Sequence, residues 1–509
     1  MIEAILAAAF VGALVVLLAP NAWAGRLAFA VSLVPLAGGL GLWYGFEAGG
    51  NALLGGEIAY ATRVEWLEVG GRGVSWFVGL DGLSLPLFVL TTFLVPLAIL
   101  SAWTPIDERQ SQFYGLMLFM EASLLGVFAA LDFFLWFVFW EAVLVPMYFL
   151  IGIWGGPRRK YAAIKFFVYT NAASLLMFLG FMSLVFALGD SVSSFALPEI
   201  ARAIAAGGLD SWFGVPPETV AMGAFLAMFL GFAVKVPVVP FHTWLPDAHV
   251  QAPAPVSVLL AGVLLKMGTY ALLRYNFTML PDQASALAIP IAAVAVVSVI
   301  YGAMLALAQK DLKRIVAYSS VSSMGYVILG LIAFTEYGVG GATFQMVAHG
   351  LISGLLFMSV GVVYNATHTR MVGDMAGMAD RMPVTVGILV AGAFGYMGLP
   401  LMAGFAGEFF IFVGSLSAPA LPYAPAFTAL AMFGIVIVAG YLLSAMQSTV
   451  FGPFELATDY EVGPAAVHDV APLAVLLAAI IVLGVAPDVL FEMMRDAAGP
   501  VVEGVSADG

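Results

Sequence analysis

Lys235-Val236-Pro237-Val238-Val239-Pro240 interrupts a nearly neutral stretch that runs from Glu218 to Asp247. The stretch is long enough to cross roughly 30 Å of hydrocarbon as a helix, yet two prolines remove backbone hydrogen-bond donors inside it. Non-helical backbone at membrane depth is tolerated only where protein or a water-filled cavity surrounds it. The segment therefore predicts a discontinuous membrane helix with a lysine at its break.

The composition of the whole chain agrees with a membrane location. Of its 509 residues, 62% are hydrophobic and only 10% are charged, which excludes a water-soluble globular protein. The net charge of −13 argues against nucleic acid as a partner, because phosphate binding needs a basic surface. The absence of cysteine excludes thiolate-ligated iron–sulfur clusters, disulfides and thiol catalysis in this chain.

Further neutral or nearly neutral stretches predict an all-α polytopic membrane protein with about 14 transmembrane helices. The first stretch is followed by Pro20, and we interpret it as a retained span rather than a signal peptide. The predicted spans lie within residues 5–18, 26–47, 81–107, 109–132, 132–158, 165–190, 218–247, 249–274, 282–310, 314–336, 336–370, 381–417, 425–453 and 469–488.

The distribution of Lys and Arg between alternate loops predicts the orientation of the chain. With 14 spans both termini lie on one side of the membrane, side A, and the opposite side is side B. The loops of side B carry eleven Lys and Arg against five on side A, which makes side B the cytoplasm or a matrix. The five cations assigned to side A are Arg63, Arg72, Arg202, Arg274 and Arg495.

Three loops have patterns of their own. Residues 62–80 alternate polar and apolar side chains around Gly70-Gly71-Arg72-Gly73, which predicts a β-hairpin. Residues 195–206 are interpreted as a short interfacial helix. Residues 454–470 carry four acidic residues and no Lys or Arg, and we interpret them as a solvated linker.

Six ionisable residues fall inside the predicted spans. A charge at the middle of a span costs roughly 2.5–3.5 kcal/mol, so each needs a partner, a water-filled pocket or a function. One of them follows a second break, at Pro400, and we expect Gly404 and Gly407 to leave further backbone groups there without helical partners. The six are Glu121, Glu141, Lys235, Lys266, His349 and Glu408.

Carboxylate, lysine and histidine side chains with water between them can each take up and release a proton. The set therefore predicts a proton-conducting protein, and the alternative is a static scaffold whose charges only hold helices together. Glu121 is the weakest member, because it could be a structural partner of a nearby cation. His242, Asp247 and His249 lie in a predicted helix-ending loop between prolines, where we expect no metal site.

Three segments together resemble the hallmark of a known family. They read FHTWLPDAHVQAP at 241–253, SVLLAGVLLKMG at 257–268 and DLKRIVAYSSVS at 311–322. The chain is thereby similar to the antiporter-like subunits of respiratory complex I and of Mrp-type cation/proton antiporters. Residues 140–148, and a glutamate at position 408 where the sister chains usually have lysine, resemble chain M of the proton-translocating NADH:quinone oxidoreductase, the counterpart of mitochondrial subunit 4.

The resemblance implies 14 helices that contain two inverted five-helix repeats, with helices 7 and 12 discontinuous. It divides the chain into N-terminal helices 1–3 with a periplasmic hairpin (1–110), a first antiporter-like repeat (111–275), a second repeat (282–453), and an acidic linker with helix 14 and a tail (454–509).

The resemblance also implies a role for five of the six buried ionisable residues. Glu141 on helix 5 pairs with Lys235 on helix 7. Lys266 on helix 8 and His349 on helix 11 form a central relay, and Glu408 on helix 12 is the terminal exchange site. The family often has histidine where this chain has Ser323, so here the relay depends more on water.

The function implied is proton translocation by a membrane-arm subunit that has no redox centre and is driven by quinone reduction elsewhere in the complex. NADH, FMN, iron–sulfur clusters and quinone are expected on other subunits. The expected partners are the other membrane-arm subunits of complex I, including the sister chains L and N, and lipid. A bacterial inner membrane with a periplasmic N-terminus is favoured over a mitochondrial inner membrane, and an Mrp-type sodium/proton antiporter subunit is the first alternative.

Overall fold

The computed structural model describes residues 1–506, which are mainly helical. The helices of the first half are α1 Ile2–Leu18, α2 Asn21–Tyr44, α3 Leu85–Ser101, α4 Gln110–Ala129, α5 Phe133–Trp154, α6 Arg159–Ala187, α7 Leu197–Ala205, α8 Pro217–Lys235, α9 Trp244–Gln251 and α10 Ala254–Thr278. Those of the second half are α11 Pro281–Ala286, α12 Ala288–Leu307, α13 Leu312–Ile332, α14 Glu336–Thr367, α15 Pro383–Tyr396, α16 Ala403–Leu416, α17 Ala424–Thr449, α18 Val467–Val485 and α19 Asp488–Ser506. The strands are β1 Ala59–Val69, β2 Arg72–Leu80, β3 Met375–Ala376 and β4 Glu455–Leu456.

Within the described residues, eleven helices are long and apolar enough to cross a membrane, and α1, α3, α15 and α16 are shorter apolar helices. Because α15 and α16 together fill one predicted span, these helices are compatible with the fourteen predicted spans. The all-α polytopic membrane class is confirmed. The count of fourteen, the two inverted repeats and the boundaries of the four regions stay predictions.

The predicted hairpin is present. β1 and β2 pair antiparallel, and the turn between them consists of Gly70 and Gly71, whose φ angles of 61° and 79° lie in the left-handed region that favours glycine. The predicted helix at 195–206 is also present, as α7.

The linker at 454–470 is not fully solvated, so this part of the interpretation was wrong. β4 pairs with β3, and α18 already begins at Val467. The carboxylate of Asp469 is buried and accepts a hydrogen bond of 2.9 Å from Thr104 Oγ1. The acidic pattern alone could not show these contacts, since both partners lie far away in the sequence.

Both predicted helix breaks are present. The first separates α8 from α9, and the second separates α15 from α16 at residues 397–402, around Pro400. The expectation for Gly404 and Gly407 was wrong, because both lie inside α16. A Cβ at either position would lie within 2.2 Å of an atom of the neighbouring helix α15 or α14, so the glycines allow close packing instead of opening the backbone.

α10 contains a feature that the sequence did not predict. It passes through two stretches of π-helix, Leu260–Leu264 and Leu272–Thr278, and Lys266 lies between them. Such turns are rare and occur frequently at functional sites.

A buried ion pair joins α10 to the start of α3. Arg274 had been assigned to a side A loop, but its guanidinium is buried inside the molecule and donates to the Asp81 carboxylate and, at 3.1 Å, to Asn51 Oδ1. Asn51 Nδ2 in turn donates to the carbonyl of Ala497 at 3.3 Å, in the C-terminal helix α19. The assignment was wrong because a charged residue near the end of a predicted span is assigned to the adjoining loop unless a buried partner for it is known.

Candidate functional site

Lys235 is the last residue of α8, and its side chain is buried. The unpaired carbonyls at a helix C-terminus favour a positive charge. The Nζ atom lies 4.5 Å from the centroid of the Trp140 ring, which is a cation–π arrangement. No hydrogen-bond partner of Nζ is present among the described residues. The helix break therefore places an ammonium group where an aromatic ring and a helix end stabilise it but no acceptor holds it.

Glu141 follows Trp140 in α5, but it does not form the expected direct ion pair with Lys235 within residues 1–506. Its Oε2 instead accepts a hydrogen bond of 3.2 Å from Asn171 Nδ2 of α6. The charge of Glu141 still acts on Lys235. The carboxylate and the ammonium group are thus neighbours that are separated rather than in contact.

Lys266 and His349 meet at the centre of the molecule. Lys266 lies halfway along α10, about 18 Å from either end at 1.5 Å per residue. Its Nζ is 2.5 Å from His349 Nδ1 of α14 and also 2.5 Å from the carbonyl of Ala261. Both side chains are buried, and His349 Nε2 has no partner among the described atoms. The two residues that the resemblance paired are in contact, with the second ring nitrogen free to bind water.

A small cavity continues from His349 to Glu408. Room for about one water molecule lies between these two side chains. Ser323 and Gln345 line it and are joined by a hydrogen bond of 3.3 Å, and Tyr396 closes the wall. Ser323 therefore lies beside the path between the His349 imidazole and the Glu408 carboxylate, and the expectation that water replaces the histidine of the family at this point stays a prediction.

Glu408 reaches back from α16 towards the break that precedes it. Its side chain is only 6% exposed, and Oε2 has no partner within the described part of the chain. A Cβ on Gly398 would lie 2.5 Å from this oxygen, and Gly398 has a φ of 66°. Both the close approach and the left-handed backbone need glycine here. The break thus creates the space that the carboxylate occupies.

Glu121 lies apart from this arrangement. It is completely buried in α4, and neither carboxylate oxygen has a hydrogen-bond or ion-pair partner among the described residues. No cation is paired with Glu121 in the part of the chain that the structure describes, so the suggestion that it balances one finds no support there.

His249 is a residue that the sequence analysis missed. It had been assigned to a loop, but it lies in α9, the short second half of the broken helix, and is completely buried. Its ring stacks on Phe357 at 4.3 Å, and both ring nitrogens lack partners in the described structure. The charges of Lys266 and Lys313 both act on it. Its position shortly after a helix break, like that of Glu408, was the signal that could have identified it.

The arrangement suits proton transfer. Lysine, histidine and carboxylate are each able to exchange a proton, and unfilled hydrogen-bond positions next to them are where water binds in protein interiors. Within residues 1–506, no cluster of three or more His, Asp or Glu side chains could hold a metal ion.

Comparison with known proteins gives the family. Residues 130–437 match the family described as NADH:quinone oxidoreductase/Mrp antiporter, TM. The chain belongs to this family. Residues 67–128 match a second description, NADH-ubiquinone oxidoreductase chain 4, amino terminus. NAD(P)H-quinone oxidoreductase chain 4 3 of Trichormus variabilis is 43% identical over 397 residues, covering 77% of this chain and 71% of that protein.

Solved structures share the fold of this antiporter-like subunit. A chain of respiratory complex I from Thermus thermophilus is similar with a TM-score of 0.86 and 28% identity, covering 99% of this chain and 100% of that one. A chain of the Mrp complex from Dietzia is similar with a TM-score of 0.83 and 25% identity, covering 98% of this chain but 52% of that one. The resemblance to a chain 4 subunit of complex I is confirmed, and the Mrp alternative is the weaker one.

Proposed function

We propose that this chain translocates protons as a membrane-arm subunit of a NADH:quinone oxidoreductase. The observation that carries the proposal is the contact between Lys266 Nζ and His349 Nδ1 at mid-depth, continued by a cavity that ends at Glu408. A continuous line of proton-exchanging groups supports transport, whereas a static scaffold would need only paired charges.

In this proposal the Glu141–Lys235 pair is an electrostatic switch. Two unit charges 4 Å apart attract by about 4 kcal/mol at an effective dielectric constant of 20. The two residues are near each other but separated, with Glu141 held by Asn171. Closing the gap stabilises the charged form of Lys235, and opening it releases a proton towards Lys266.

Glu408 then exchanges the proton with side A. A cation that arrives at Lys266 or His349 favours the ionised carboxylate across the cavity, so Glu408 releases its proton outwards. Water at Ser323 and Gln345 bridges the step that another family member could make with histidine.

The energy for this cycle comes from elsewhere in the complex. The chain has no cysteine to ligate iron–sulfur clusters, so we assign those clusters to other subunits. On the family resemblance we assign NADH, FMN and quinone to other subunits as well. The conformational or electrostatic signal of quinone reduction reaches the switch through neighbouring membrane subunits.

The surface around Glu141 supports a neighbouring chain at this place. Glu141 and Asn171 are partly exposed, and they lie on helix faces where Val138, Val145 and Val168 are about half exposed. A carboxylate on an apolar face is costly in lipid, so a protein partner must cover it. We assign this surface to a sister antiporter-like chain, L or N, in a bacterial inner membrane with side B in the cytoplasm.

The experiment compares Lys266→Met with Lys310→Met in complex reconstituted into sodium-free vesicles. Lys310 is exposed and serves as the control for loss of a lysine. We expect NADH-driven acidification in the control and a clearly lower proton yield per NADH in the Lys266 variant, with iron–sulfur signals unchanged. A gradient that requires sodium would favour the antiporter alternative. Normal proton yield in assembled Lys266→Met complex would favour the scaffold.

A further inference from the structure

Lys313 is a buried cation that the mechanism above does not use. It stands at the start of α13, its side chain is 4% exposed, and its Nζ donates a hydrogen bond to the carbonyl of Ala252. Ala252 caps the C-terminus of α9. A helix C-terminus favours a positive charge, so the position suits an ammonium group whose Nζ forms no ion pair within residues 1–506.

An open cavity reaches Lys313 from the loops of side B. It has a volume of about 260 Å³ and is lined in part by Trp154, Gln251, Tyr364, Asn365 and Arg370. Since a water molecule takes about 30 Å³ in the liquid, several waters fit. The cavity joins the loop surface to the ammonium group of a residue that is otherwise enclosed by protein.

The neighbouring charges in this cavity are already engaged. Arg370 donates to the carbonyl of Val250 at 2.9 Å and forms an ion pair of 3.3 Å with Asp311. Asp311 in turn accepts from the backbone N–H of Lys313 at 2.8 Å and so caps α13. Lys313 differs from these groups, because a single hydrogen bond from its Nζ leaves two ammonium protons for water.

On its inner side, Lys313 approaches the central pair by way of His249. His249 lies one turn before Ala252 in α9. Its ring stacks on Phe357 of α14, about two turns beyond His349 in the same helix. Because neither ring nitrogen of His249 has a partner among the described residues, water or a proton donor can bind on both sides of the ring.

We propose that Lys313 is the proton acceptor at the bottom of a side B vestibule, and that His249 passes the proton from it to Lys266 and His349. The Lys313 ammonium group gives one proton through water to the neutral His249 ring and takes another from vestibule water. The imidazolium then gives its proton through water to neutral Lys266. Only N–H and O–H bonds form and break, so no oxidant or reductant is needed. This inference rests on the proposed function.

The decisive variant is Lys313→Arg. Arginine keeps the positive charge and the hydrogen bond to Ala252 but does not give up a proton. If Lys313 is purely structural, arginine can therefore replace it without loss of proton pumping. If Lys313 exchanges protons, we expect assembled complex whose proton yield per NADH falls several-fold.

Lys310→Arg is the control, because Lys310 is exposed on the same loop three residues earlier. Normal proton yield in assembled Lys313→Arg complex would overturn the inference. If Lys266→Met lowers the proton yield while Lys313→Arg does not, the proposed function survives, and only the inference that Lys313 accepts protons from the vestibule is wrong. If Lys266→Met leaves the yield unchanged, the proposed function itself fails.

A labelling experiment decides the matter even where Lys313→Arg does not assemble. Because the chain has no cysteine, Asn365→Cys gives it a single thiol inside the vestibule. We expect a charged, membrane-impermeant methanethiosulfonate to modify this thiol from side B and to slow proton pumping several-fold. Leu179→Cys, on a side chain that is 66% exposed on the apolar surface of α6, should stay unmodified. Absence of labelling at position 365, or full labelling without effect on pumping, would contradict the proposal.

Discussion

The molecule contains two sets of buried charges that differ in how completely they are partnered. Asp81 is enclosed by donors: Arg274 and the backbone N–H groups of Ala52, Leu83 and Ser84. The line that includes Lys235, His349 and Glu408 has buried polar atoms without partners in the described residues and a cavity beside it. A carboxylate held on all sides stabilises the fold, whereas one with free positions and adjacent water can exchange protons. Burial alone does not separate the two roles.

The pKa of Asp81 illustrates the first case. Burial raises the pKa of this carboxyl, but the charge of Arg274, with hydrogen bonds from Arg274, Ala52 and Ser84, outweighs burial and lowers it below its ordinary value. A group with a lowered pKa in the folded state contributes stability that is present above its unfolded value and is lost as the pH falls through the folded value. The ion pair therefore stabilises the fold at neutral pH and weakens only in acid.

The largest expected effect comes from breaking this pair. Asp81→Asn leaves the Arg274 guanidinium buried without its counter-charge, which costs about 3–5 kcal/mol. We expect little or no assembled complex, measured by native gel and by thermal melting of what remains. Arg63→Met removes an exposed arginine that donates to Ser194 Oγ at 3.1 Å and lies over the Phe77 ring; it is the control and should assemble. Wild-type thermal stability of the Asp81 variant would remove the distinction between the two sets.

Lys235→Met tests the second set with a smaller expected effect. Methionine is similar in length and can keep the packing against Trp140, so we expect normal assembly. Because the variant has no proton to exchange at the helix break, proton transfer there should slow by about a hundredfold or more, and the proton yield per NADH should fall strongly. Pumping at the wild-type rate in assembled complex would make Lys235 a structural residue.

A comparison of Glu141→Gln with Glu121→Gln sharpens the contrast within the carboxylates. Only Glu141 lies beside Lys235 and acts on its charge, whereas Glu121 has no partner in the described part of the molecule. We expect a several-fold loss of coupled activity for Glu141→Gln and a small loss for Glu121→Gln, measured as proton yield at equal amounts of complex. Equal losses at both positions would count against the switch.

Local signals in the sequence predicted much of this architecture. The lengths of the apolar stretches predicted the membrane spans. Glycines predicted the hairpin turn at residue 70, and prolines predicted both helix breaks. The position of Lys235 could be predicted for the same reason, because its break lies in the adjacent residues.

The missed features all depend on contacts between distant segments. From the sequence alone His249 is assigned to a loop, because only the structure shows that α9 continues beyond the break. Arg274 is likewise assigned to a loop, because only the structure shows Asp81 beside it. Gly404 and Gly407 were assigned to the break because the sequence does not show which helix lies against them. The hydrogen bond between Glu141 and Asn171, in place of a direct ion pair with Lys235, depends on side-chain positions that no sequence pattern specifies.

The central claim is that buried groups with unfilled hydrogen-bond positions and a cavity beside them carry protons, and Glu408 tests it most directly. Glu408→Asp keeps a carboxylate with a shorter reach, whereas Glu408→Gln keeps the shape and cannot exchange a proton. Each charge that crosses works against roughly 2.3 kcal/mol per 100 mV, so a line whose last member is permanently neutral should stall. The measurement is proton yield and quinone-linked turnover in assembled complex. We predict substantial pumping for the Asp variant and little for the Gln variant, and unimpaired pumping by Glu408→Gln would contradict the account.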